Sequence, residues 1–182
     1  MQCIKDTIKN INIVIGCSIG CSYCYARMNN NRFHTIDDFN KPVFFENKLK
    51  MLDNKRHTAY LLTGQSDLSG WNEEWKDKVF SKMKENENTQ YIFLTKRPEN
   101  IKLKETPDNG WFGVTVTSSK EKTRIDYLRN NIKAKHYHIT FEPMFDDVGK
   151  LDLSHISWIV IGTETGNRKG KISSNIGSKV IW

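Results

Sequence analysis

Six short apolar runs recur along the chain, at Ile11–Ile15, Thr58–Thr63, Tyr91–Thr95, Phe112–Thr117, His136–Phe141 and Ile156–Ile161. Their β-branched and aromatic content predicts strands buried on both faces. Segments of helical or mixed pattern separate them. Ala26–Phe33 is polar and can begin a helix, and Phe44–Leu52 reads as a short one. Trp71–Lys84 sets Trp71, Trp75, Val79 and Met83 four apart, an amphipathic helix with its aromatics in the core. Arg97–Leu103 is a weak helix with Pro98 in its first turn, and Glu85–Thr89 a surface turn. Ser118 or Ser119 is placed to cap Lys120–Asn131, with Ile125 and Leu128 inward. Strands alternating with helices predict βαβ units and a parallel sheet. Right-handed crossovers wind such a sheet into a barrel or a doubly wound fold, and the pattern alone leaves both open.

A chain of 182 residues fits one domain, residues 1–182. It can bury roughly 70% of its unfolded surface, so it needs no disulfide staples. Three of the four cysteines are clustered, unlike a disulfide framework, which points to a reducing compartment and a cytoplasmic location. Ile11–Ile15 is too short for a signal-peptide core or a membrane span, and no membrane partner is expected. A net charge of +7 and a pI near 9.2 raise the prospect of a nucleic-acid or other anionic partner. The lysines are nevertheless spread along the chain, as on solvated faces, with local patches only at Lys96-Arg97 and Arg168–Lys171.

The candidate chemistry begins just after the first predicted strand. Cys17, Cys21 and Cys24 follow the spacing C-x3-C-x2-C, with Tyr23 before the last. Three thiolates in eight residues reach one centre only if the backbone wraps around it, and Gly16 and Gly20 let it turn. Thiolates select zinc, Cu(I) or iron–sulfur clusters. Structural zinc wants four protein ligands, often as two pairs, and no second pair exists. A fully ligated [4Fe–4S] cluster also wants four cysteines. Cys3 lies within roughly 46 Å of extended chain from Cys17, so a fold-back stays open. The simpler reading is three cysteine ligands and one open iron. Buried structural thiols and a zinc module are the alternatives.

In parallel βα folds working residues gather at the C-terminal strand ends. Here these ends read Thr63-Gly64-Gln65-Ser66-Asp67, Thr95-Lys96-Arg97-Pro98, Thr115-Val116-Thr117-Ser118, Phe141-Glu142-Pro143-Met144 and Gly162-Thr163-Glu164-Thr165-Gly166-Asn167-Arg168. Five polar ends on five apolar strands predict one shared polar cavity. Lys96 and Arg97 suit a carboxylate or phosphate, and Glu142 and Glu164 can balance a cation. His34, His57, His136, His138 and His155 show no metal-ligand spacing and read as structural or surface residues.

Cys17, Cys21, Tyr23 and Cys24 resemble the signature of the radical SAM enzymes. That resemblance implies a partial (β/α)6 barrel of parallel strands with the cysteine loop after the first. It implies a [4Fe–4S] cluster held by the three cysteines, whose open iron chelates the amino and carboxylate groups of S-adenosylmethionine. An external one-electron reductant then drives cleavage to a 5′-deoxyadenosyl radical, which abstracts hydrogen from a substrate. By position, Tyr23 packs near the adenine, Thr63-Gly64 stands where the methionine amino group is bound, with Asp67 the nearest acid, Thr115 and Thr117 stand at the ribose level, and Gly162 and Glu164 fall by the adenine. The catalytic residue that meets the substrate is unknown from the sequence.

TKRPE at Thr95–Glu99, WFGVTV at Trp111–Val116, FEP at Phe141–Pro143 and WIVIGTETGNRKGK at Trp158–Lys171 resemble one phage-associated and bacterial branch, distantly similar to spore photoproduct lyase. That similarity and the basic balance tilt the expected substrate toward nucleic acid. Residues 172–182 depart from the branch, which continues with another helix and strand. The expectation is a truncated product lacking that last helix and strand, with one sheet edge uncovered. The alternative function is a non-catalytic iron–sulfur or nucleic-acid-binding phage protein, inactive through truncation.

Overall fold

The computed structural model describes residues 7–54 and 58–164. Six strands form one all-parallel sheet curved as a partial barrel. They are β1 (Ile8–Asn10), β4 (Ala59–Leu61), β5 (Gln90–Thr95), β6 (Gly110–Thr115), β7 (His136–Phe141) and β8 (Ile156–Ile161), in that spatial order. Two further short strands, β2 (Val14–Ile15) and β3 (Val43–Phe44), pair antiparallel with each other, apart from that sheet. The first strand therefore differs from expectation. The apolar run at Ile11–Ile15 is buried, but the sheet ladder is made by the more polar Ile8–Asn10 that precedes it.

Among the described residues three α-helices lie wholly within view: α1 (Tyr25–Phe33), α2 (Glu73–Glu85) and α3 (Thr123–Asn131). α2 starts on the Asn72 side chain, which accepts from Trp75 N, and carries Glu73 and Glu74 in the first turn, where the helix dipole favours acids. Its Val79, Phe80 and Met83 are buried against the outer face of the sheet. Phe80 meets Phe93 and Phe112 edge-on, and those two rings stack at 4.9 Å across β5 and β6. Burying side chains of this kind stabilises by roughly 1.5–3 kcal/mol each.

Two helical expectations shrink to single 3-10 turns or short 3-10 stretches: Phe44–Leu52 becomes Glu46–Asp53 and Arg97–Leu103 becomes Pro98–Asn100. Neither Ser118 nor Ser119 caps α3. Ser118 makes no cap bond, and Ser119 is drawn to Asp146 instead, with N and Oγ at 2.8 and 3.1 Å. Burial on both faces fails at β8, whose residues alternate, leaving Ile159 and Ile161 exposed. The expected missing helix and strand after β8, the atypical tail and Cys3 lie outside the described residues.

Candidate functional site

One face of each strand turns inward on a cavity of about 600 Å³. Period-two alternation sets the inner residues: Leu94, His138 and Thr140 line it, while Phe93, Ile139 and Phe141 pack outward in the core. Its lower walls are largely apolar, with Ile8, Leu61, Ile92, Leu94, Trp158 and Val160. Its upper rim is polar, with Asp67, Lys96, Glu142, Thr163 and Glu164. The expected gathering of polar strand ends into one cavity thus describes this rim.

Cys17, Cys21 and Cys24 all line the same cavity, half-buried and free. The loop turns through Gly16 at φ 115° and Gly20 at φ 77°, conformations that a side chain would strain. A Cβ at Gly16 would also stand 2.9 Å from Pro42 Cα. The loop is tied down by Cys17 N to Phe39 O at 2.6 Å and by Arg27, whose Nη2 donates to Cys17 O and Asn40 Oδ1. Arg27 also lies over the Phe39 ring. Cys24 does more than face the cavity, because its Sγ caps α1 by accepting from Arg27 N at 3.4 Å. Burial pushes the Cys17 thiol up, helped by Asp67 and the neighbouring thiols, against a hydrogen bond from the Ile19 backbone.

Among the described residues, no three His, Cys, Asp or Glu side chains converge on one metal ion. Three sulfurs around a single zinc at 2.3 Å stand only ~3.8 Å apart. The sulfurs of an iron–sulfur cube each bind a different iron and stand farther apart than that, and Cys17, Cys21 and Cys24 share one cavity. An all-thiol donor set also matches cluster chemistry. By the donor set and its cavity, the three cysteines fit the larger group.

Tyr23 lines the cavity, edge-on to Phe145 at 5.5 Å, with Lys96 Nζ 5.8 Å from its ring centre. Desolvation, with the nearby Cys21, pushes its hydroxyl above the ordinary range. Thr63 is buried on the cavity wall, and its Oγ1 accepts from Leu94 N at 2.7 Å. Gly64 presents its carbonyl to Tyr25 Oη at 2.6 Å, which joins the start of α1 to the loop after β4. Thr115 lines the wall.

Thr117, Arg97 and Gly162 are not among the lining residues. Thr117 N and Oγ1 are both held by Glu121 Oε2, at 2.7 and 2.8 Å. Arg97 precedes the 3-10 turn, its N–H donated to Thr95 Oγ1. Gly162 acts by its smallness: a Cβ there would stand 2.9 Å from Glu142 Cγ and Cδ, so the Glu142 side chain lies across it.

Two residues of the site are not singled out for these roles by sequence. Buried Asp67 accepts from Ser69 N, Ser69 Oγ and Thr95 Oγ1 through Oδ1, and from Lys96 N at 2.8 Å through Oδ2. It clamps the ends of β4 and β5 together and aims Lys96 at the rim. His138 reads in the sequence as an ordinary structural residue, yet it stands in the cavity wall. Its ring lies over Gly113, where a Cβ would come within 2.4 Å, and reaches Phe93 O with Nε2 at 3.0 Å. Burial pushes its pKa down to about 4, against the pull of the Phe93 and Trp111 carbonyls.

No described helix is long and apolar enough to cross a membrane. Over residues 2–179 the chain matches the model of a family described as "Protein of unknown function (DUF5131)". No curated protein and no solved structure matches it.

Proposed function

The chain belongs to the DUF5131 family, and we propose that it works as a radical SAM-type enzyme. In this reading Cys17, Cys21 and Cys24 hold a [4Fe–4S] cluster, and S-adenosylmethionine binds against it in the cavity. The observation that carries the reading is that all three thiols open into one cavity at the C-terminal ends of six parallel strands. When bound, the cluster supplies a reducing electron and an open iron for the cofactor's amino and carboxylate groups.

The chain's own residues then bind, orient and shield. Arg27 fixes the cysteine loop through the Cys17 carbonyl. Tyr25 ties that loop's helix to Gly64, which keeps the β4 end beside the thiols. Glu142 and Glu164 put carboxylates at the rim, where a sulfonium needs counter-charge, and Lys96 offers a cation to a carboxylate or phosphate. The apolar residues below, among them Ile92, Leu94 and Val160, offer a reactive species few polar groups for side reactions. An external one-electron donor is the implied partner.

The test is anaerobic reconstitution with iron and sulfide, followed by dithionite and S-adenosylmethionine. About four irons per chain and released 5′-deoxyadenosine are expected. Iron loading without cofactor cleavage leaves a binding or electron-transfer role, and zinc in anaerobically purified protein sinks the reading.

A further inference from the structure

We propose that the exposed face of α1 is a docking strip for single-stranded nucleic acid, leading from open surface to the mouth of the cavity. Tyr25 is 51% exposed, Met28 55% and Phe33 64%. With 3.6 residues per turn, Met28, Arg32, Tyr25, Asn29 and Phe33 fall within one arc of about 140°. All five are exposed. A single exposed apolar residue is ordinary, but three on one short helix beside an open cavity make a patch of the kind that marks a binding surface. The helix cannot roll to hide them, because its other side is anchored. Ala26 and Asn30 are its buried residues, and the Asn30 amide donates to Ile36 O and accepts from Ile36 N, both at 3.0 Å.

The side chains select the occupant. Tyr25 Oη donates to Gly64 O at 2.6 Å, so its ring is held in place while it stands open to solvent. At the other end of the strip the Arg32 guanidinium lies over the Phe33 ring, 5.0 Å from its centre. The helix carries no acid, and Arg32 pairs with no carboxylate among the described residues. Rings that stack on any base, a guanidinium for phosphate and an amide for hydrogen bonds are the parts of a single-strand platform. An apolar protein partner would leave Arg32 and Asn29 without partners, and a net charge of +7 favours a polyanion. Eight residues separate Tyr25 from Phe33, ~12 Å of helix, about the length of three or four stacked nucleotides. Tyr25 and Met28 also line the cavity, so a strand laid on the strip ends at its mouth. The inference names a substrate class for the site proposed above. It rests on that reading for the chemistry done on the strand but not for the docking itself.

The experiment therefore uses the full chain without cluster. A fluorescein-labelled oligothymidylate of about twelve nucleotides is titrated by anisotropy over a series of salt concentrations. Saturable binding is expected, weaker for the matching duplex, whose base faces are closed to the rings. Phe33→Ala should weaken it about 5- to 10-fold, as loss of one stacked base would. Arg32→Gln should lower the slope of log K against log salt by about 0.7, the share of one phosphate on a single strand. Lys104→Gln, which removes an exposed charge on the chain ahead of β6, should leave affinity and slope in place. Phe33 and Arg32 are both exposed, so neither variant should alter the thermal melt. No saturable binding, a duplex held as tightly, or an equal loss with Lys104→Gln overturns the proposal. So does a chain that self-associates in sedimentation and is returned to monomer by Phe33→Ala, because the face would then belong to a second copy. Failure to load iron would sink the cluster reading and leave this one standing.

Discussion

Gly113→Ala is the most direct test of how the inner wall of the barrel is packed. The added Cβ would lie 2.4 Å from His138 Cε1 and Nε2 and 2.5 Å from Cδ2, far inside van der Waals contact. To make room the ring must leave its seat between Phe93 O on one side and Trp158 on the other. Overpacking of this kind costs about 1–3 kcal/mol. Pulling Nε2 off Phe93 O adds about 1 kcal/mol. Stiffening the unfolded chain returns about 0.5–1 kcal/mol. The net is a loss of about 2–3 kcal/mol, which in a domain of this size lowers Tm by about 5–10 °C. In urea, with an m value of about 2 kcal/mol/M, the midpoint falls by about 1–1.5 M with the slope unchanged. The partner is identified by a double-mutant cycle: in a His138→Ala background the Gly113→Ala penalty should shrink by at least about 1 kcal/mol. A Gly113→Ala protein within about 0.5 kcal/mol of wild type, or a penalty undiminished without His138, refutes the packing argument.

Three further outcomes follow from the same geometry. His138 titrates near 4 when folded and near 6.5 when unfolded, so the unfolded chain binds the extra proton between those values. Its contribution is therefore intact above pH 6.5 and is lost as pH falls toward 4, by about 3 kcal/mol, a slope that urea melts should find missing in His138→Phe. Asp67→Asn turns two donors toward a pocket built of donors, and should cost about 1–3 kcal/mol by chemical denaturation; a neutral effect would mean the clamp on Lys96 is idle. Cys24→Ala removes a helix cap and a cluster ligand together, whereas Cys24→Ser restores an oxygen acceptor for Arg27 N. The serine variant should recover most of the roughly 0.5–1 kcal/mol lost by alanine yet bind cluster no better, and iron content equal to wild type in either variant would exclude Cys24 as a ligand.

The strand pattern was legible where burial and laddering coincide, as at His136–Phe141, whose limits agree with the structure residue for residue; those of Ile156–Ile161 agree as well, although none of its residues is fully buried. It misled where they part. Ile11, Ile13, Val14 and Ile15 are all buried, yet only Val14 and Ile15 join a strand, and that strand pairs with Val43–Phe44 away from the main sheet. The sheet's own first strand is Ile8–Asn10, polar because Asn10 faces the cavity. A hydrophobic run reports removal from water and says nothing of which backbone completes the ladder.

The site followed the same logic. Strand ends could be read as a cavity rim because parallel strands bring their C-terminal ends to one side, whatever their spacing in sequence. What a strand end does next cannot be read so simply. Thr115 and Thr117 share a parity, but β6 stops at Thr115, and Glu121 farther along captures the Thr117 hydroxyl. His138 carried a usable signal that metal-ligand spacing does not test. It stands two residues before Thr140 and four before Glu142, on the face that ends in the rim, and in register with Gly113, the neighbour small enough to let an imidazole lie flat. Parity along one strand, taken with a glycine opposite on the next, locates an inward polar side chain from the amino-acid order alone. Applied to HYHITF beside WFGVTV, that rule separates His138 from His136, which stacks on Trp111 outside the cavity lining.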